Sequence, residues 1–173
     1  SDLAASALGG IGAKIQGALT SSDSTTTVTQ VLAQIAIAAA VAALWEPLGG
    51  ELLACDLASA EMVKLASNAF LATKISFVNE IANVCDAVGA DVSTVAAGMG
   101  LDRRIGSAFL DAGLGYGGSC FPKDVTALKQ LAGNVGYHFQ LLASVIEVNE
   151  LQKRRVVSML LARLGDLHGA RIA

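Results

Sequence analysis

Residues 56–88 read DLASAEMVKLASNAFLATKISFVNEIANVCDAV, a run without glycine or proline. Leu71, Ile75, Val78, Ala82 and Cys85 recur at steps of four and three. Phe70, Phe77, Ile81, Val84 and Val88 form a second apolar stripe beside them. That spacing is helical, and its apolar surface is too wide for one shallow contact. Asp56 or Ser59 can cap the start, with Glu61 in the first turn near the positive end of the dipole. A helix over 56–88 would be about 45 Å long at 1.5 Å per residue. Such a helix serves as the spine of a helical domain or of a dimer.

Working outward, Gly89 ends the helix. ADVSTVAAGMG (90–100) predicts a short helix with Asp91 or Ser93 near its start and glycines at its end. LDRRIGSAFLDAGLGYGGS (101–119) is a glycine-punctuated loop region, with one helical turn expected at Ser107–Leu110. CFPKDVTALKQLAG (120–133) predicts a helix with Pro122 in its first turn, where a missing N–H costs nothing. YHFQLLASVIEVNELQKRRVVSMLLARLG (137–165) is another long helix, and GARIA (169–173) resembles the start of a strand. Upstream, ELLAC (51–55) could be an edge strand, and TSSDSTTTVTQ (20–30) reads as a polar loop. VLAQIAIAAAVAALW (31–45) is shorter than the roughly 20 residues a membrane span needs and predicts a buried or interface helix. GGIGAKIQG (9–17) has glycines, but no β-branched strand precedes it and its spacing fails the dinucleotide fingerprint. The fold class expected is therefore mainly α.

At 173 residues, 53% hydrophobic and 16% charged, the chain is of single-domain size and not disordered. A net charge of −3, with no basic run longer than the three residues Lys153–Arg155, excludes the electrostatic footprint of a nucleic-acid binder. Cys55, Cys85 and Cys120 are odd in number and widely spaced, which suits neither a disulfide framework nor a metal site. A cytoplasmic location is expected from that usage, and the start lacks the pattern of a secretory signal.

Three groups of residues could carry chemistry. Cys120 lies at a helix N-terminus, where free N–H groups favour an anion. It can be a nucleophile or a small structural residue. Cys85 belongs to an apolar stripe and should be packed. Lys64 and Asn68 share a helix face. They can form a surface stripe with Glu61, or face a cleft where the ammonium stabilises negative charge and the amide positions water. Asp124, one turn after Cys120, can serve the helix dipole or orient Lys64 or a water. Arg103 and Arg104 fit either a solvated face or an anion site.

K-x-x-x-N-A-F (64–70), R-I-G (104–106), G-Y-G-G-S-C-F-P-K-D (115–124) and N-E-x-Q-K-R-R (149–155) occur in order. From about Leu48 onward the chain resembles the central domain of the UDP-glucose/GDP-mannose dehydrogenase family. Ser119 and Phe121 favour UDP-glucose over an aminosugar or GDP-mannose as substrate, with the GDP-mannose type as the alternative. The resemblance implies a long-helix dimerisation domain of the 6-phosphogluconate-dehydrogenase-like type. It divides the chain into a poorly specified segment 1–50, a central domain 51–165, and 166–173 as the start of a C-terminal nucleotide-binding domain. It also implies NAD-dependent oxidation of the sugar C6 alcohol to a carboxylate through a thiohemiacetal and a thioester on Cys120. Lys64 would stabilise oxyanion-like states, and Asn68 and Asp124 would place water. Arg104 would reach a neighbour's substrate across a homodimer built on the 56–88 helix. Phe109, Tyr116, Gly117 and Phe121 would wrap the sugar nucleotide, with Ile75 as an apolar contact. The family's G-x-G-x-x-G and F-x-x-E-G segments are not found in residues 1–50, so this chain alone is expected to be inactive. A non-catalytic helical dimerisation module is the competing reading.

Overall fold

The computed structural model describes residues 24–171. The glycine-bearing segment 9–17 therefore lies outside the described residues, as do the last two residues of 169–173. The chain divides into two compact units, residues 1–61 and 62–173.

In the first unit, helix α1 spans Ser24–Trp45 and carries no charged side chain. Residues 24–30, expected to be loop, are thus helical. Their threonines are weak helix formers, and the alanine-rich run behind them extends the helix through them. A 3₁₀ turn, Glu46–Leu48, follows with Pro47 in its opening. Gly49, at φ 68°, closes it by donating its N–H to the Glu46 carbonyl at 3.1 Å. Residues 50–56 are irregular, so the expected edge strand at ELLAC does not form. Four apolar letters are too few to distinguish a strand from an extended linker.

Helix α2 spans Leu57–Val88. The Asp56 carboxylate caps it, accepting the Ser59 N–H at 3.0 Å and the Ser59 hydroxyl at 2.8 Å. Gly89 ends it at φ 75°, and the Ala90 N–H donates to the Cys85 carbonyl at 3.0 Å. Only a residue that tolerates a left-handed backbone closes a helix in this way. Helix α3, Val92–Gly100, is capped by Asp91, whose carboxylate accepts the N–H groups of Ser93 and Thr94. Such a cap contributes about 1 kcal/mol. Helices α4, Phe121–Asn134, and α5, Gln140–Leu164, complete the second unit.

The core of that unit lies where α2, α4, α5 and the loop before α4 meet. Ala69 and Ala72 come from α2, Val125 and Leu128 from α4, Leu142 and Val145 from α5, and Tyr116 from the loop. Two alanines on α2 let the other helices approach closely. The Ser76 hydroxyl donates to the Val145 carbonyl at 3.2 Å and pins α2 to α5.

The two stripes of α2 have different fates. Val78 and Cys85 are buried, and Leu71, Ile75 and Ala82 are half-buried. In the second stripe Phe70 is 65% exposed, Phe77 50%, Val84 57% and Val88 71%, which leaves a heptad-spaced apolar face uncovered. Among the described residues there is no strand, and no helix is long and apolar enough to cross a membrane.

Candidate active site

Cys120 occupies the residue before α4, with Pro122 in the first turn. Its thiol is exposed. Its carbonyl accepts the Asp124 N–H at 2.9 Å, so the residue is locked to the helix it precedes. The Ser119 hydroxyl stands 3.8 Å from Cys120 Sγ. Cys85 is buried, as its place in the apolar stripe predicts.

One turn on, Asp124 is only 2% exposed, yet both of its carboxylate oxygens are occupied. Asn68 Nδ2 donates to Oδ2 at 2.6 Å, and Lys123 Nζ donates to Oδ1 at 2.7 Å. Lys64 Nζ lies 3.8 Å from Oδ2. These donors hold the Asp124 carboxyl below the usual carboxylate range, the Lys123 bond contributing most and the Asn68 bond next, against the opposing effect of burial. The same bond to Asp124 raises the Lys123 ammonium above its ordinary value. The distances divide the charge. Lys123 is the close partner of Asp124, and Lys64 stands farther off, two-thirds exposed. The cluster carries two ammonium groups against one carboxylate, next to a thiol.

The loop before α4 is fastened by side chains from both long helices. The Gly113 N–H donates to Asn79 Oδ1 at 2.7 Å, and Gln152 Nε2 donates to the Gly113 carbonyl at 2.8 Å. Asn149 uses both ends of its amide on one residue. It accepts the Tyr116 N–H at 2.7 Å and donates to the Tyr116 carbonyl at 3.1 Å. Gly115, at φ 99°, passes so close beneath that a Cβ would collide with Asn149 Oδ1. Asn79 Nδ2 is buried without a partner.

Phe121 joins two loop rings edge-on, Phe109 at 6.3 Å and Tyr116 at 6.0 Å between centroids. Phe109 holds φ 64°, a left-handed backbone that a bulky residue seldom adopts. Burial, with Glu150 second, pushes the Tyr116 phenol up.

Of the residues singled out in the sequence, Lys64, Asn68, Cys120 and Asp124 come together, as do Phe109, Tyr116 and Phe121. Gly117 is exposed, with open space where a Cβ would stand. Ile75 packs half-buried against the core. Arg104 bends back onto its own turn, with Nη2 donating to Asp102 Oδ2 at 2.6 Å, and Lys74 ties that turn to α2 through the Ile105 carbonyl at 3.0 Å. Asn79 lies in none of the quoted motifs, and Lys123, Asn149 and Gln152 lie in them without an expected role. Among the described residues no group of three or more His, Cys, Asp or Glu side chains could hold a metal.

The profile of the UDP-glucose/GDP-mannose dehydrogenase family, central domain, matches residues 58–151. The chain is 59% identical over 130 residues to the UDP-glucose 6-dehydrogenase YwqF of Bacillus subtilis, covering 75% of this chain and 30% of that protein. It is 55% identical over 136 residues to TuaD of the same organism, named a UDP-glucose 6-dehydrogenase, covering 79% of this chain and 30% of that protein. The solved structure of a UDP-glucose dehydrogenase from Pyrobaculum islandicum superposes with a TM-score of 0.72 at 40% identity, over 74% of this chain and 30% of that one. The chain thus spans about 30% of the length of these relatives.

Proposed function

The chain belongs to the UDP-glucose/GDP-mannose dehydrogenase family, and from that premise we propose that it serves the NAD-dependent oxidation of UDP-glucose to UDP-glucuronate, with Cys120 as the covalent nucleophile. The observation that carries this reading is the cluster itself. An exposed thiol stands at a helix start, one turn from a buried carboxylate that ties Asn68 and Lys123 together and has Lys64 at its edge.

The two oxidations need a hydride acceptor, the nicotinamide. The described residues offer no strand-to-helix glycine turn of the usual dinucleotide type. No role toward the dinucleotide is therefore assigned to any of them. Their own part begins at the aldehyde. Cys120 Sγ adds to C6, an S–C bond forms, and the carbonyl electron pair moves to oxygen. Lys64 stabilises that oxygen. Once the adduct is oxidised to the thioester, water adds to C6, the S–C bond breaks and the thiolate leaves. Asn68 and Asp124 direct the water. Phe109, Tyr116, Gly117 and Phe121 form the wall around the sugar nucleotide. In this proposal residues 51–165 are the central substrate and dimerisation domain, and the flanking nucleotide-binding domains belong to the longer protein that the relatives represent.

The test uses the three thiols of the chain. Cys120 is exposed at the start of α4, where an alkylating reagent can reach it. As the nucleophile of this proposal, Cys120 should be modified by iodoacetamide near neutral pH at least about tenfold faster than Cys55, which is also exposed. Equal rates would remove the nucleophile and leave the dimerisation module as the better reading.

The uncovered face of α2 supports a homodimer. Phe70, Phe77 and Val84 are more apolar surface than a small monomer normally leaves in water. A second copy related by a two-fold axis would bury it, and in this reading Arg104 leaves Asp102 to reach the neighbour's substrate. Phe77→Glu should convert a dimer to a monomer by light scattering while the helical circular dichroism is kept. A wild-type monomer would refute the dimer.

A further inference from the structure

The stretch Gly115–Cys120 has two separate anchors. At one end the Asn149 amide makes a paired bond to the Tyr116 backbone, buried at 3% exposure. At the other, Cys120 is held by α4 through its own carbonyl. Between them lie Gly117 and Gly118, both exposed, with Gly118 at φ 78° and open space beside each. These glycines are the free joint. Whatever displaces Tyr116 need not displace the thiol.

Asn149 stands against the Tyr116 backbone, inside the core, and both ends of its amide are engaged there. Asn79 and Gln152 fix Gly113 from the two facing helices, so four backbone groups of residues 113–116 are satisfied by three side chains. Asn83 Nδ2 in turn donates to Gln152 Oε1 at 3.4 Å. A side chain at Gly115 would collide with Asn149 Oδ1, so only glycine fits beside this clasp. Resting on the proposed nucleotide-sugar reading, we propose that Asn149 is a positioning residue for substrate. It sets the place of the Tyr116–Gly118 backbone against the sugar nucleotide and leaves the nucleophile untouched.

The test is Asn149→Ala in the dehydrogenase with its cofactor-binding part present. The KM for UDP-glucose should rise about tenfold, as expected for losing a backbone clasp of two hydrogen bonds, with kcat within about threefold. In the same variant the alkylation rate of Cys120 relative to Cys55 should be unchanged, and buried Cys85 should stay protected. A merely structural role would open Cys85 and move kcat and KM together. An unchanged KM, or a fall in kcat alone, overturns the proposal. Gln152→Ala, which loses only the Gly113 carbonyl bond, should raise KM in the same direction by about threefold. If Asn149→Ala exposes Cys85, this variant decides, and an unchanged KM in it overturns the proposal. Wild-type enzyme that makes no NADH from UDP-glucose refutes the functional reading itself and removes this inference with it. Normal wild-type turnover with a variant of wild-type KM refutes only the role of Asn149.

Discussion

Cys120→Ser, in the enzyme supplied with its cofactor-binding part, should slow release of UDP-glucuronate by roughly three orders of magnitude or more. A hydroxyl is a poor nucleophile at neutral pH, and no side chain of the cluster is placed to act as its base. Asp124 is already engaged by Asn68 and Lys123, and Lys64 and Lys123 are cations. The aldehyde should accumulate on the enzyme, or a slowly hydrolysed ester should form, visible as added mass on the intact protein. The variant should fold normally, because the thiol is exposed and takes no part in capping α4. Undiminished turnover would remove Cys120 from the reaction.

Asp124→Asn should have the second largest effect. The amide keeps the shape but loses the charge, and its NH₂ then faces a donor, either Lys123 or Asn68. Both partners were held by a carboxylate that is almost fully buried. Release of Asn68 frees the group assigned to the water, so kcat should fall about 10²- to 10³-fold. Stability should respond to pH in a specific way. The folded carboxyl lies below its unfolded value, so the wild-type contribution is fully present above about pH 4 and is lost as pH falls through the folded value. In Asp124→Asn that acid-side loss should shrink. Thermal melts of both proteins at pH 6 and pH 3 measure it. A wild-type and variant difference that is the same at both pH values would contradict the ionised carboxylate.

Much of the fold is legible because helices announce their ends. Asp56, Gly89, Asp91 and Pro122 are each a cap or a stop with a local mechanism, and each acts where the sequence pattern expects it. The two stripes of α2 are legible for the same reason, since period is a local property. Legibility fails where a residue's meaning depends on a distant partner. Asn79, Asn149 and Gln152 look like ordinary polar positions on long helices until the 113–116 loop arrives over them. Lys123 was overlooked because neighbours in a helix do not usually face each other. Its long stem reaches around to one Asp124 oxygen while Asn68 holds the other. Residues 24–30 misled in the other direction, since threonine-rich letters argue for loop while the helix behind them recruits them.

Two of the three thiols face solvent, Cys55 in the first unit and Cys120 in the second, while Cys85 is sealed in the core. A molecule with one reactive end can only pair. A molecule with two can be linked at both, so uncontrolled oxidation becomes a step-growth polymerisation rather than a dimerisation. On a non-reducing gel the product would be a ladder of many rungs that collapses on adding dithiothreitol. Blocking either exposed thiol would stop growth at the second rung.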